Sequence, residues 1–431
     1  MAAITASQGV RAIPWPTPSN NLVVWFGDSR TFGISADPPD TKSITAGGQA
    51  SWAAHGAGYR CNTIRAVGNR GIGGDTTADM LARISDVVNS GAGVCVFLGG
   101  VNDNTDTAAT IANYGTIFDT LSAANIVTIV CNELPDDTAG HQPYQIIRRD
   151  WLENPARRVT WPKLLQVDTF RPCLKDGTTC NWKDGYAPDG LHPGVYGAKA
   201  IGGTLGPTLA QLFAAYSRQD NLPTGAGDAY NASTNPGGCL LSNYMMTGTG
   251  GTATGVNGQV PTGWAYNVAQ LGTGLTVDVT IDTDADGYAR QNIHCYGTSS
   301  SGTRTLIFQC LKNDAPTMGY VAAGDRLRSQ CHLTVDAGAQ GLRGAAVGCQ
   351  IVGNNGTSQS QSVYNFWGSS SGWISEAFDG AVVSQYVTVH ADWATMTGRS
   401  MTDLLNMQIN GSATVDFTVR VSRFGRRKLL S

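Results

Sequence analysis

Apolar residues in the first half of the chain follow two alternating patterns. Largely apolar runs occur at Leu22 to Phe26, Val94–Leu98, 126–131 and Leu164–Val167, the first two without a break. Such short, largely aliphatic runs predict strands buried on both faces. Residues 64–67 read as one more short strand. Between the runs lie stretches with helical spacing. Residues 76–88 carry Met80, Leu81, Ile84, Val87 and Val88, and residues 108–124 place Ile111, Tyr114, Ile117, Phe118 and Leu121 on one face. A last helix is predicted over 195–216, interrupted at Gly202-Gly203. This alternation predicts a mostly parallel sheet with helices on both faces.

The pattern changes after Tyr216. Residues 217–238 are rich in Gly, Pro, Asn, Asp and Ser and read as a linker. Beyond them come short alternating segments at 275–281, 303–310, 326–335, 344–352, 386–390 and 413–421, separated by Gly, Asp and Asn turns. That pattern predicts an all-β sandwich of jelly-roll-like type. The first 20 residues carry Pro14, Pro16 and Pro18 without periodicity and read as an extended arm. The predicted division is therefore arm 1–20, α/β domain 21–216, linker 217–238 and β-domain 239–431. A length of 431 residues suits two domains. Only 14% of residues are charged and 54 are Gly, which fits many turns and short strands.

The net charge is -3, and no basic run marks a nucleic-acid groove. Arg426, Arg427 and Lys428 read as a solvated tail. No run approaches the roughly 20 apolar residues of a membrane span, so membrane insertion is not expected. The first ten residues lack a basic region followed by a long apolar one, so no cleaved secretion signal is expected. Retention in the cytosol, or release without a signal as part of a virion, would follow. The ten cysteines form no Cys-x-x-Cys pair, which argues against zinc. Cys95, Cys131, Cys295 and Cys310 read as small buried hydrophobes. Cys173 and Cys180 are spaced to close a loop, although free thiols are expected in a cytosolic protein.

Four segments carry candidate chemistry. Gly27-Asp28-Ser29 ends the first strand, and ligands of open α/β sheets bind at strand carboxyl ends. Alone, Ser29 reads more plainly as a turn or capping residue. The run Asn69 to Thr77 holds Gly71, Gly73 and Gly74 between a strand and a helix. It also reads as a loop capped by Asp75 or Thr76; a phosphate loop would end in Gly-Lys-Ser/Thr, which is missing. Gly100-Val101-Asn102-Asp103 puts a side-chain amide at another strand end, where an Asn/Asp turn is the plainer reading. Asp189-Gly190-Leu191-His192 puts a carboxylate three residues before an imidazole, a spacing that also suits a capping Asp and a surface His.

The four segments fall in a fixed order, each at a predicted strand–helix junction. Together they resemble the four blocks of the SGNH (GDSL-like) hydrolase superfamily, over about residues 20 to 216. The resemblance implies a flavodoxin-like three-layer α/β domain and ester hydrolysis by a triad. Ser29 would be the nucleophile, His192 the base and Asp189 its orienter. The Ser29 N–H, the Gly74 N–H and the Asn102 amide would form the oxyanion hole. Gly74 is chosen over Gly71 and Gly73 because it precedes Asp75-Thr76. Asp28 and Asp103 would hold loops, and no cofactor is needed.

The pairing with a β-domain resembles phage tail-associated carbohydrate esterases. It implies a polysaccharide O-acetyl substrate and, in such proteins, trimers or virion neighbours. A catalytically silent glycan-binding adhesin and a lipid or thioester hydrolase are the rival readings. The β-domain itself reads as a sugar-binding module, an oligomerisation unit or a support. Trp264, Tyr266, Tyr364, Trp367, Trp373 and Trp393 are its candidate sugar-stacking residues, with core packing as the plainer reading. Asp282-Thr283-Asp284-Ala285-Asp286-Gly287 resembles the start of a calcium loop, but Ile293 stands where the closing Glu should be. A polar hairpin turn is expected there.

Overall fold

The computed structural model describes residues 13–32, 48–63, 68–103, 106–241, 243–312, 315–356, 358–368 and 376–429. Six strands build the first half: β1 (Leu22–Gly27), β2 (Asn62–Thr63), β3 (Asn69–Gly71), β4 (Val94–Leu98), β5 (Val127–Cys131) and β6 (Leu164–Val167). All pairings are parallel, in the order β2-β1-β4-β5-β6, with β3 also on β1. The helices are α1 (Ser29–Phe32), α2 (Gln49–Gly56), α3 (Thr77–Ala82), α4 (Ser85–Val88), α5 (Thr107–Ala123), α6 (Gln142–Glu153), α7 (Ala156–Thr160) and α8 (Val195–Leu212).

Strand side chains alternate between the two faces of the sheet. Val23 and Trp25 of β1 therefore join Ala50 and Ala53 of α2 and Ile201 and Leu205 of α8. Val24 and Phe26 join Met80, Val87, Tyr114, Ile117 and Leu121 on the opposite face. This is the three-layer arrangement, and it explains why the strand runs are apolar at nearly every position.

Several helices depart from the sequence reading. The 76–88 stretch is two helices, because Arg83 leaves helical geometry at φ -115. Its guanidinium instead bonds the carbonyls of Arg70 and Gly27. Gly202-Gly203 does not interrupt α8. A Cβ on Gly202 would collide with the α2 backbone and Trp52, and Gly206 lies against Gly56, so these glycines let two helices approach closely. The sequence reading missed α2, which carries little apolar periodicity, and α6, which is amphipathic but mostly polar. Residues 64–67 lie outside the described residues, as does 1–12 of the arm. Among the described residues, no helix is long and apolar enough to cross a membrane.

Residues 217–238 contain no strand or α-helix. The mostly-β remainder forms two sheets. One orders Phe378–Val383, Arg326–Val335, Thr414–Lys428, Ala289–Thr298, Leu275–Thr283 and Asn257–Gly258. The other orders Ser358–Gly368, Leu342–Asn354, Thr397–Ile409, Arg304–Lys312, Val260–Asn267 and Gly250–Thr252. Pairing is antiparallel except at the two short edge strands. Val279, Ile293 and Val419 of one sheet share a core with Trp264, Phe308 and Leu405 of the other. This strand order does not by itself establish the anticipated jelly roll.

Two expectations for this half need correction, the sugar-stacking aromatics and the solvated basic tail. Trp264 and Tyr266 are buried, and Trp264 stacks on Phe308 with ring centroids 4.7 Å apart. Both fill the core between the sheets and present no ring to a sugar. Trp393 is likewise buried. Trp367 lies on a described strand, but its side chain and Tyr364's are outside the described set, as is all of Trp373. Arg426 to Lys428 are not a tail. They end a long strand, and Arg426 is fully buried against Asp403 at 3.0 Å. The Asp282 to Gly287 segment is a hairpin, in which Asp284 accepts the Asp286 and Tyr288 N–H groups and Asp282 pairs with Arg290. All ten cysteines are buried free thiols, Cys173 and Cys180 included.

Candidate active site

The sheet delivers three loops to one edge. Strand β1 stops at Gly27, where only a hydrogen fits beneath the Leu98 carbonyl at the end of β4. The chain turns at Asp28, whose Oδ1 accepts the Arg30 N–H at 2.8 Å, and α1 begins with Ser29. A side chain at the first position of a helix after a strand end is presented at the sheet rim rather than buried in it.

His192 reaches this serine from the segment before α8. Its Nε2 lies 2.8 Å from Ser29 Oγ, and its Nδ1 lies 2.7 Å from Asp189 Oδ2. The other Asp189 oxygen accepts the His192 and Leu191 N–H groups at 2.8 and 3.0 Å. One carboxylate thus clamps both the backbone and the ring of the residue it orients. Partial burial pushes the Asp189 carboxyl up, but the hydrogen bonds from His192 and Leu191 outweigh it and hold the group below its ordinary range. It is the anionic partner that a neutral imidazole needs to become a base.

The loops that carry the other two predicted oxyanion donors are joined to each other. Gly74 has φ +86, a conformation that favours glycine, and open space where a side chain would stand. Asn102 follows β4 and donates its amide to the Asp75 carbonyl at 2.9 Å, tying the two loops together. An Asn amide carries a second N–H, which remains for a ligand. Asp103 accepts the Thr77 N–H at 3.0 Å, which fixes the start of α3 against the same loop.

The sequence reading missed the supports beneath. Arg83 binds Asp75 at 2.6 Å and the Gly27 carbonyl at 2.9 Å, so one guanidinium locks the glycine loop to the nucleophile strand. Arg30, next to the nucleophile, is 1% exposed. It donates to the carbonyls of Leu191, Leu134 and Pro135 at 3.2, 3.4 and 3.1 Å. It also faces Glu133 and Asp136 at 3.7 and 3.5 Å, and Arg148 completes the group at 2.6 Å from Glu133. Arg30 therefore couples the helix bearing Ser29 to the residue preceding His192. The available signal was the acidic Asn132-Glu133-Leu134-Pro135-Asp136 sequence after a strand, in a chain poor in charge.

Asp28 sits fully buried at the edge of this group, with Oδ2 lacking a partner among the described residues. Burial pushes its carboxyl up to about 6, against the pull of the Arg30 charge and N–H. A raised folded-state value favours the neutral form. Its contribution to stability is complete below the ordinary range near 3.8 and is lost as pH rises through about 6. Asp28→Asn removes this titration. The stability of the variant relative to the parent should therefore rise between pH 4 and 7.5, by roughly 3 kcal/mol. Urea unfolding across that range measures it, and a constant difference would refute the assignment.

Residues 25–200 match the family model described as the GDSL-like Lipase/Acylhydrolase family. Solved structures similar to this chain include a putative acylhydrolase from Bacteroides fragilis, at 19% identity and TM-score 0.35, covering 47% of this chain and 92% of that one. A carbohydrate esterase family 3 protein from Talaromyces cellulolyticus shows 19% identity and TM-score 0.34, over 46% and 99%. An acetyl xylan esterase from Geobacillus stearothermophilus shows 18% identity and TM-score 0.34, over 45% and 96%. No curated protein gives a significant match. The family match spans the nucleophile, glycine and Asn102 loops together with the Asp189–His192 pair, so it covers every segment of the candidate site.

Proposed function

We propose that the protein is a serine esterase that removes O-acetyl groups from a polysaccharide. The observation that carries the hydrolytic part is the continuous chain from Asp189 through His192 to Ser29 Oγ, with links of 2.7 and 2.8 Å. In this reading His192 Nε2 takes the Ser29 proton as Oγ attacks the ester carbonyl. Asp189 holds the proton on Nδ1 and stabilises the imidazolium. The oxyanion that develops meets the Ser29 and Gly74 N–H groups and the free Asn102 amide N–H. The imidazolium then protonates the departing sugar oxygen. Water, activated by the same imidazole, releases acetate and restores Ser29.

The setting of the triad supports the substrate class. The Asp189 side chain is 48% exposed and that of His192 23%. Gly73 and Gly74 border open space among the described residues. A rim site of this kind accepts a short acyl group carried on a bulky polymer, whereas a long acyl chain calls for an enclosed apolar sleeve. In its widest form the reading makes the protein a phage tail component, supported by the pairing of the hydrolase domain with a mostly-β half.

The test is acetate release from a panel of acetylated bacterial capsules and O-antigens, compared with p-nitrophenyl esters of increasing chain length. We expect release from at least one polymer and a preference for acetyl over octanoyl esters. Binding to a polymer without release would favour the silent adhesin, and a preference for long chains would favour a lipid hydrolase.

A further inference from the structure

Far from Ser29, where the two halves meet, a recess of about 270 Å³ opens beside residues 217–221 and the strands Arg326–Val335 and Thr414–Lys428. Its wall carries Arg218, Arg328, Arg427 and Lys428, and no carboxylate among the described residues. Behind the wall the compensation is incomplete. Arg218 holds Asp220 through two bonds, and Lys428 lies 2.7 Å from Asp325. Arg427 reaches Asp228 only at 3.9 Å.

Arg328 is different. It is 3% exposed, and its terminal nitrogens bond the Tyr59 carbonyl and the Asn62 side-chain oxygen, both neutral groups. Its Nε and the Nε of Arg427 are buried without partners among the described residues. Burial pushes the Arg328 guanidinium down to about 10, with no carboxylate among the groups that offset it. It still keeps its charge at neutral pH. Leaving such a charge buried and unmatched is strongly unfavourable.

We propose that this recess binds a small oxyanion, with Arg328 and Arg427 as its principal partners and Lys428 as a further positive charge. Guanidinium forks match the paired oxygens of phosphate and carboxylate, which a chloride ion does not offer. The bound anion would touch the linker at Ser217 to Asn221 and the two strands, and would neutralise the charge that Arg328 brings against Tyr59 and Asn62. It would therefore hold the halves together. The site is separate from the esterase centre and does not rest on that reading. Asn62 pairs with Leu22 at the start of β1, whereas Ser29 follows its end. At about 3.3 Å per residue the strand alone separates them by roughly 17 Å.

The test is thermal unfolding of the full chain in 0–10 mM phosphate, with chloride compensating ionic strength, and a parallel series in glucuronate. We expect a saturable rise in Tm of about 2 °C or more with at least one of them. A response to phosphate alone identifies a free tetrahedral anion, and one to glucuronate the carboxylate of an acidic sugar. Arg427→Gln and Arg328→Met should abolish the rise, and Arg427→Gln should leave ester hydrolysis unchanged. Should Arg328→Met not fold, Arg427→Gln alone decides. A rise no greater than with chloride, or one that persists in Arg427→Gln, overturns the proposal. The second outcome would mean general salt exclusion, which acts on any folded surface.

Discussion

Replacing Ser29 with Ala should reduce kcat for acetate release by about 10⁴-fold or more, with little change in Tm. The substitution removes one oxygen whose described side-chain bond is to His192 Nε2. The helix start and the Asp189–His192 clamp do not depend on it, since that clamp closes through Asp189 alone. His192→Ala should cost a similar factor, because an unassisted serine hydroxyl is a poor nucleophile at neutral pH. The double variant should lose little more than either single one. Groups that act in one proton transfer fail together, so their losses do not multiply. Fully multiplicative losses would show that the two residues serve different steps, and undiminished turnover by Ser29→Ala would remove it from the mechanism. Circular dichroism and Tm of each variant separate lost chemistry from lost fold.

What could be read from the sequence divides along physical lines. The strands β1, β4, β5 and β6 were legible because a strand buried on both faces is apolar at nearly every position, and few other short elements look like that. The segments around Ser29, Gly74, Asn102 and His192 were legible because a site at strand ends needs small turn residues next to polar groups. The structure brings Ser29, His192 and Asp189 into one hydrogen-bonded chain and joins Asn102 to the Gly74 loop through Asp75. Arg30 was not legible. Its importance comes from carbonyls at 134, 135 and 191, and no pattern local to the sequence records a contact over that separation. Arg83 escaped for a related reason. It lies on a stretch with helical spacing, and its long-range bonds to Arg70, Asp75 and Gly27 end that helix early.

The mostly-β half was legible in kind but not in detail. Alternation marks a strand without saying which face is buried, because a shift of one residue exchanges the faces. Trp264 and Tyr266 show the consequence. Their spacing of two puts both on one face, and that face turns inward onto Phe308. An aromatic pair on the outer face would have given the same sequence pattern. Arg426 makes the same point for charge: a basic cluster looks solvated until a buried Asp403 on a neighbouring sheet is placed beside it.

Asn102→Ala should lower kcat by about 10²- to 10³-fold and change KM by no more than a few-fold. The reasoning turns on when the amide is used. An ester carbonyl oxygen in the ground state carries little charge and gains little from a third donor. The tetrahedral oxyanion carries a full charge, and a preorganised N–H facing it lowers the barrier by about 3 to 4 kcal/mol. The amide is preorganised here because its bond to the Asp75 carbonyl fixes its plane before substrate arrives. That bond creates an ambiguity, since Ala removes both the donor and the tie to the Gly74 loop. Thermal unfolding resolves it. Were Asn102 only a tie between the loops, Asn102→Ala would lower Tm and raise KM together with its loss in kcat; as an oxyanion donor it should lower kcat while Tm and KM stay close to the parent's. Steady-state kinetics on one acetylated substrate, with active sites titrated by a phosphonate that labels Ser29, and the Tm of the same variant separate the two.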